Sequence, residues 1–255
     1  MSDAAPGRTL VLGDVHGAAR ALEQVFERSR FDPAGDRLIS LGDIADGWPD
    51  VDRCFDLLLD VPRLTLILGN HDEWAAAWMR GRPLMGWAEQ GGDATVEAYA
   101  RRAGLRPPLT PRQARRVAKS VPASHGRLLQ EAAPYAVEGT EGGGERLFTH
   151  AGWNPGRPAA EQTDYDLRLG RDLWIQARAL VAAQGEDRDA ITRFDEVYLG
   201  HTPTEWRRPR PVLELWNLDQ GAGWDGVLTL MDVETKEYWQ SDPVPELYPG
   251  VRGRR

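Results

Sequence analysis

The feature that most constrains this chain is a recurrence. Five times, a short apolar run rich in Val, Ile and Leu stops at a polar block. Thr9-Leu10-Val11-Leu12 leads into Gly13-Asp14-Val15-His16-Gly17, and Leu38-Ile39-Ser40-Leu41 into Gly42-Asp43-Ile44-Ala45-Asp46. Leu64-Thr65-Leu66-Ile67-Leu68 leads into Gly69-Asn70-His71-Asp72, Leu147-Phe148-Thr149 into His150, and Val197-Tyr198-Leu199-Gly200 into His201. Runs of this length and composition predict buried strands that end where the polar residues begin. Between the first two runs, Ala18 to Arg30 carries Leu22, Val25 and Phe26 at helical spacing, and Pro49 can open a second helix. Strands alternating with helices over short connections imply parallel pairing, and ligands bind at the carboxyl ends of such strands. The pattern therefore gathers carboxylates, an amide and imidazoles around one point.

A chain of 255 residues, 41% hydrophobic, has material for one α/β domain, expected to cover residues 1–255. From Glu73 to about Tyr135 the strand signal gives way to helical segments, so 73–135 reads as a helical insertion or cap within that domain. The later strand candidates, 212–216, 227–231 and 236–240, are expected to form a second sheet packed on the first. The single cysteine, Cys54, excludes an intramolecular disulfide and a thiolate zinc site. With no apolar stretch long enough for a signal peptide or a membrane span, the expected location is the cytoplasm, with no membrane partner. A net charge of −8 argues against a stable nucleic-acid complex. The basic stretches 112–119, 207–210 and 252–255 read as a solvated helix face, a loop and a frayed terminus.

A lone histidine at a strand end is most often structural, and an Asp after Gly is turn chemistry. Packing and turns do not account for the whole set. Carboxylate, amide oxygen and imidazole together suit two divalent cations, Mn²⁺ first with Fe or Zn as alternatives, and Asp43 has two oxygens with which to bridge them. Two such ions ~3.5–4 Å apart can lower the pKa of a water and neutralise a phosphate under in-line attack.

These five blocks, in this order, resemble those of the calcineurin-like metallophosphoesterases, in particular the bacterial branch of the phosphoprotein phosphatase family. Asn217-Leu218-Asp219-Gln220-Gly221-Ala222 is similar to the segment that follows in bacterial members. The resemblance implies a metallophosphoesterase fold of two packed mixed β-sheets flanked by helices. It implies Asp14, His16 and Asp43 at one metal, and Asp43, Asn70, His150 and His201 at the other. It further implies that His71 is a general acid, with Asp46 holding its imidazole and favouring the protonated form. The implied reaction is hydrolysis of phosphomonoesters by direct attack of a metal-bridging hydroxide.

Position 47 departs from the pattern. Family protein phosphatases usually carry an arginine there as a phosphate clamp, and here it is Gly47. A second family arginine is expected between the two late histidines, near a Leu-Trp pair; Leu173-Trp174 offers the pair, with Arg171 and Arg178 on either side, and Arg178 is the candidate phosphate contact. Trp48 is the first candidate among ten tryptophans for an aromatic surface that stacks a substrate. The substrate classes in view are phosphorylated small molecules, nucleotides including dinucleoside polyphosphates, and phosphoproteins. A catalytically silent binding module of the same fold would lack ligands or the acid, and this chain has all of them. His125, outside the blocks, is expected to be structural.

Overall fold

The computed structural model describes residues 7–185 and 189–254; residues 1–6 at the polar start of the chain, residues 186–188 and Arg255 lie outside it. Each apolar run becomes a strand. The first half alternates β1 (Thr9–Leu12), α1 (Ala19–Ser29), β2 (Arg37–Ser40), α2 (Val51–Leu59) and β3 (Leu64–Leu66). Four helices follow: α3 (Asn70–Met79), α4 (Gly92–Arg102), α5 (Pro111–Ser120) and α6 (Ala123–Glu131). The second half holds β4 (Tyr135–Gly139), β5 (Glu145–Thr149), α7 (Asp172–Gln184), β6 (Glu196–Leu199), β7 (Pro211–Val212) and β8 (Leu215–Asn217). It ends with β9 (Thr229–Asp232), β10 (Tyr238–Gln240) and α8 (Val244–Leu247).

Two five-stranded mixed sheets result, ordered β10-β9-β1-β2-β3 and β4-β5-β6-β8-β7. The runs before the blocks pair in parallel, β1 with β2, β2 with β3, and β5 with β6. Only β7 and β8 of the late strands join the second sheet. Contrary to the sequence expectation, β9 returns antiparallel to β1 and β10 pairs on β9, so both extend the first sheet. The apolar pattern of β9 suits either sheet, and its pairing is fixed by where the chain comes back, which no local signal encodes.

Period-2 alternation explains why these strands are apolar on both faces. Val11, Ile39, Phe148, Tyr198 and Met231 point into a layer between the sheets, where Phe148 and Tyr198 stack at 5.0 Å. Their neighbours Leu10, Leu12 and Leu38 face α1, α2 and the helical segment, whereas Leu147, Val197 and Leu199 face α7. Ala98, Tyr99, Val117 and Leu129 of the helical segment belong to the same core as β1 and β2. His125 lies in that core, between the Tyr99 hydroxyl at 2.7 Å and Asp56 at 3.0 Å. With both faces of each strand filled by packing, polar residues collect at the carboxyl ends.

Candidate metal centre

The polar blocks converge because their loops are tied to one another through the backbone. Val15 and His16 donate their N–H groups to Asp43 O, Gly17 N–H to Ile44 O, and Trp48 N–H to His16 O. Asp72 binds the second block to the third, accepting from the backbone N–H of Ile44, Ala45 and Gly69. These ties hold the backbone in unusual shapes. His16, Asp43, Asp46 and His201 all have positive φ, between 49° and 72°. Non-glycine residues in that region cost on the order of 1–3 kcal/mol each, and such positions gather at functional sites. Close approach matters as well: a Cβ at residue 200 would lie 2.0 Å from Asp14 Oδ1, so only Gly200 lets His201 sit over that carboxylate.

Two clusters of ligand atoms result, Asp14 with His16 and Asp43, and Asp43 with His150 and His201, each with all atoms within 4.8 Å of one another. Asp43 stands between them, its Oδ2 3.6 Å from His16 Nε2 and its Oδ1 3.4 Å from His150 Nε2. Asn70, at the start of α3, places its Oδ1 3.1 Å from His150 Nε2. Every imidazole is aimed by its other nitrogen, a familiar device of metal sites. His16 Nδ1 pairs with Ala45 O, His150 Nδ1 with Leu41 O, and His201 Nε2 with Leu169 O.

The electrostatics call for positive charge. Asp14, Asp43 and Asp219 are all at least 98% buried, and Asp14 Oδ1 and Asp219 Oδ2 have no hydrogen-bond partner. Burial, reinforced by Asp219, pushes the Asp14 carboxyl well above its ordinary value, and burial pushes Asp219 up to about 6. At Asp43 burial acts the same way, yet His150, His71 and His16 outweigh it and hold the carboxyl well below its ordinary value. Buried carboxylates with orphaned oxygens beside imidazole lone pairs are a donor set that fits divalent cations. Asp219 was not singled out among the sequence candidates. It obeys the same rule as the others, a carboxylate just past the end of an apolar strand.

His71 sits apart from the ligand clusters. Its ring centroid is 5.0 Å from that of His16, its Nδ1 is 2.7 Å from Asp46 Oδ2, and its buried Nε2 has no partner. Asp46 is gripped from the helical segment, where Thr95 Oγ1 donates to Oδ1 at 2.6 Å and Trp87 Nε1 donates to Oδ2 at 2.7 Å. Asp46 faces the His71 ring as expected, while burial is the largest influence on the imidazole's pKa. Burial pushes the imidazole down to about 3, against the pull of Asp43, and lifts Asp46 to about 8 despite the Thr95 and Trp87 hydrogen bonds. The Nδ1···Oδ2 hydrogen bond orients the ring, and the tautomer with its hydrogen on Nε2 is a donor toward the centre.

Three sequence expectations fail here. Trp48 is 1% exposed, donates Nε1–H to Ala222 O at 2.7 Å and stacks on Tyr248, so it packs the loop and offers no face to a substrate. Half-buried Trp74, 4.6 Å from His71, and Trp224, 6.2 Å from His16, flank the centre instead. Arg178 projects from α7 to Glu205 and over Trp206, lining a cleft of about 380 Å³ that contains none of the ligand candidates. Arg171 is nearer, and its charge acts on His201. Finally, residue 254 is not frayed: Arg254 Nη1 lies 3.2 Å from His16 Nε2.

A family model described as calcineurin-like phosphoesterase matches residues 7–205. A serine/threonine-protein phosphatase 1 from Salmonella typhimurium is 27% identical over 225 residues, covering 88% of this chain and 91% of that one. A symmetrical bis(5'-nucleosyl)-tetraphosphatase from Chromohalobacter salexigens is 27% identical over 281 aligned residues, 90% of this chain and 96% of the other. A crystal structure provisionally described as that of a diadenosine tetraphosphatase superposes with a TM-score of 0.62 at 18% identity, covering 94% of each chain. That last likeness speaks to the fold.

Proposed function

The chain belongs to the calcineurin-like phosphoesterase family and is a metal-dependent phosphoric ester hydrolase; within that class we propose that it cleaves phosphomonoesters with a dinuclear centre. Asp14, His16 and Asp43 would hold one divalent cation, and Asp43, Asn70, His150 and His201 the other, with Mn²⁺ the first candidate. When bound, two such ions supply Lewis acidity and neutralise phosphate charge.

The observation that carries the reading is His71. A buried imidazole with an unpartnered Nε2, beside one cluster and held by Asp46 from behind, is placed to give a proton to the departing oxygen of an ester. Asp46 then keeps the ring oriented and supplies the proton that replaces the one given up. Trp87 and Thr95 fix Asp46, and the surrounding burial excludes water from this exchange.

A second reading, hydrolysis of dinucleoside polyphosphates or other nucleotides, is favoured by one specific observation. Half-buried Trp74 lies beside the centre, 4.6 Å from His71, and aromatic faces stack bases. Purified protein supplemented with Mn²⁺ is expected to hydrolyse p-nitrophenyl phosphate and to lose that activity with a chelator. Ranking phosphopeptides, sugar phosphates, mononucleotides and dinucleoside tetraphosphates by kcat/KM decides between the two. Metal-replete protein inactive on every phosphate ester would remove both.

A further inference from the structure

The last described segment of the chain turns back into the centre. Arg254 N–H donates to Gly223 O at 2.8 Å, and the side chain passes over Trp224, its Cζ 4.3 Å from the ring centroid. The guanidinium reaches His16, whose Nε2 accepts from Nη1 at 3.2 Å because Nδ1 is engaged with Ala45 O. Its charge is felt at His16, His71, Asp46 and Asp219, residues drawn from four separate blocks.

Three glycines clear the way for this side chain. A Cβ on Gly47 would lie 3.2 Å from Arg254 Cγ, one on Gly91 3.3 Å from the same atom, and one on Gly223 3.1 Å from Arg254 Cδ. The position where an arginine was expected and glycine stands is therefore the wall of a channel filled by another arginine. Among the described residues Arg254 makes no ion pair with a carboxylate, and its buried Nε has no hydrogen-bond partner. A half-buried guanidinium with no carboxylate partner beside a phosphoesterase centre is suited to an anion.

We propose that Arg254 is the phosphate-contacting residue of this enzyme, delivered from the end of the chain into the space left by Gly47. Were His16 to hold a cation through Nε2, the N–H donors of the Arg254 fork would be free for an anionic substrate. Trp224 holds the guanidinium plane in register through its ring face. This assignment rests on the phosphoesterase reading and names the group that grips its substrate.

The test uses full-length, Mn²⁺-saturated protein and inorganic phosphate as the probe in titration calorimetry, alongside KM and kcat for p-nitrophenyl phosphate. Losing a charged, bidentate contact is expected to weaken phosphate binding and raise KM about 10- to 100-fold in Arg254→Ala, with bound Mn²⁺ equal to wild type. Arg254→Lys should recover part of the loss, and guanidinium ion added to Arg254→Ala should restore affinity, which a folding defect would not allow. Phosphate affinity and KM equal to wild type in Arg254→Ala would overturn the proposal. So would a variant that binds Mn²⁺ more tightly and turns over faster, since Arg254 would then be a plug on the cation site. Wild-type protein that binds no phosphate and cleaves no ester would instead overturn the phosphoesterase reading itself.

Discussion

The cation cradle and the rim around it are built in opposite ways. In the cradle every donor sits within a few residues of a strand's carboxyl end: Asp14 and His16 after β1, Asp43 after β2, Asn70 after β3, His150 after β5, His201 after β6. The backbone aims them. The rim is drawn from distant parts of the chain, Trp87 and Thr95 from the helical segment, Trp224 from the loop after β8, and Arg254 from the final residues. Packing aims these. A site with a backbone-held centre can keep one chemistry while its rim, drawn from distant segments, changes what is gripped.

The contrast can be broken experimentally, and the largest effect is expected at its centre. Asp43→Asn removes the one carboxylate common to both clusters. Elemental analysis after dialysis should show loss of bound metal, with activity falling to background. Two ions retained with activity intact would mean that Asp43 does not join the clusters. His71→Gln should spare metal content and lower kcat about 10²–10⁴-fold, the ordinary worth of a positioned acid. If that variant empties the site instead, His71 belongs to the cradle. Trp87→Phe and Thr95→Val each remove one donor to Asp46, and should lower kcat about tenfold with KM little changed. Unchanged kcat in both would detach the helical segment from the chemistry.

The smallest effect lies at the opposite ends of the same strands, where Arg8 pairs with Asp36 ahead of β1 and β2. Burial pushes the Asp36 carboxyl up, but Arg8 and the backbone N–H groups of Asp32 and Arg8 outweigh it and hold the pKa below its ordinary value. A depressed carboxyl pKa stabilises the fold above the unfolded value of about 3.9 and loses that contribution as pH falls through the folded value. Asp36→Asn should therefore lower the urea midpoint at neutral pH, flatten its decline below pH ~4 and leave kcat alone. A change in kcat would show that the two ends of the sheet are coupled.

Legibility followed the same division. The strands before the blocks, their parallel pairing and the convergence of Asp14, His16, Asp43, Asn70, His71, His150 and His201 could be read because each donor follows its strand directly. The destination of β9 and β10 could not, since their pattern fits either sheet. Trp48 misled for a related reason. Nearness to Asp46 along the chain says nothing about which way an indole turns, and the Ala222 carbonyl and Tyr248 that draw it inward are about 170 or more residues away.

The sequence by itself determined the strands, their parallel pairing and the polar blocks at their ends, because strand periodicity and strand-end chemistry are local, and the order of those blocks carried the resemblance to the family. Only the tertiary structure decided the environment of the His71–Asp46 pair, because the burial of both groups, and the Thr95 and Trp87 hydrogen bonds that oppose it at Asp46, come from distant segments. It alone also decided that the arginine missing at position 47 has a counterpart at 254. A channel cleared by Gly47, Gly91 and Gly223 exists only when three distant segments are brought together.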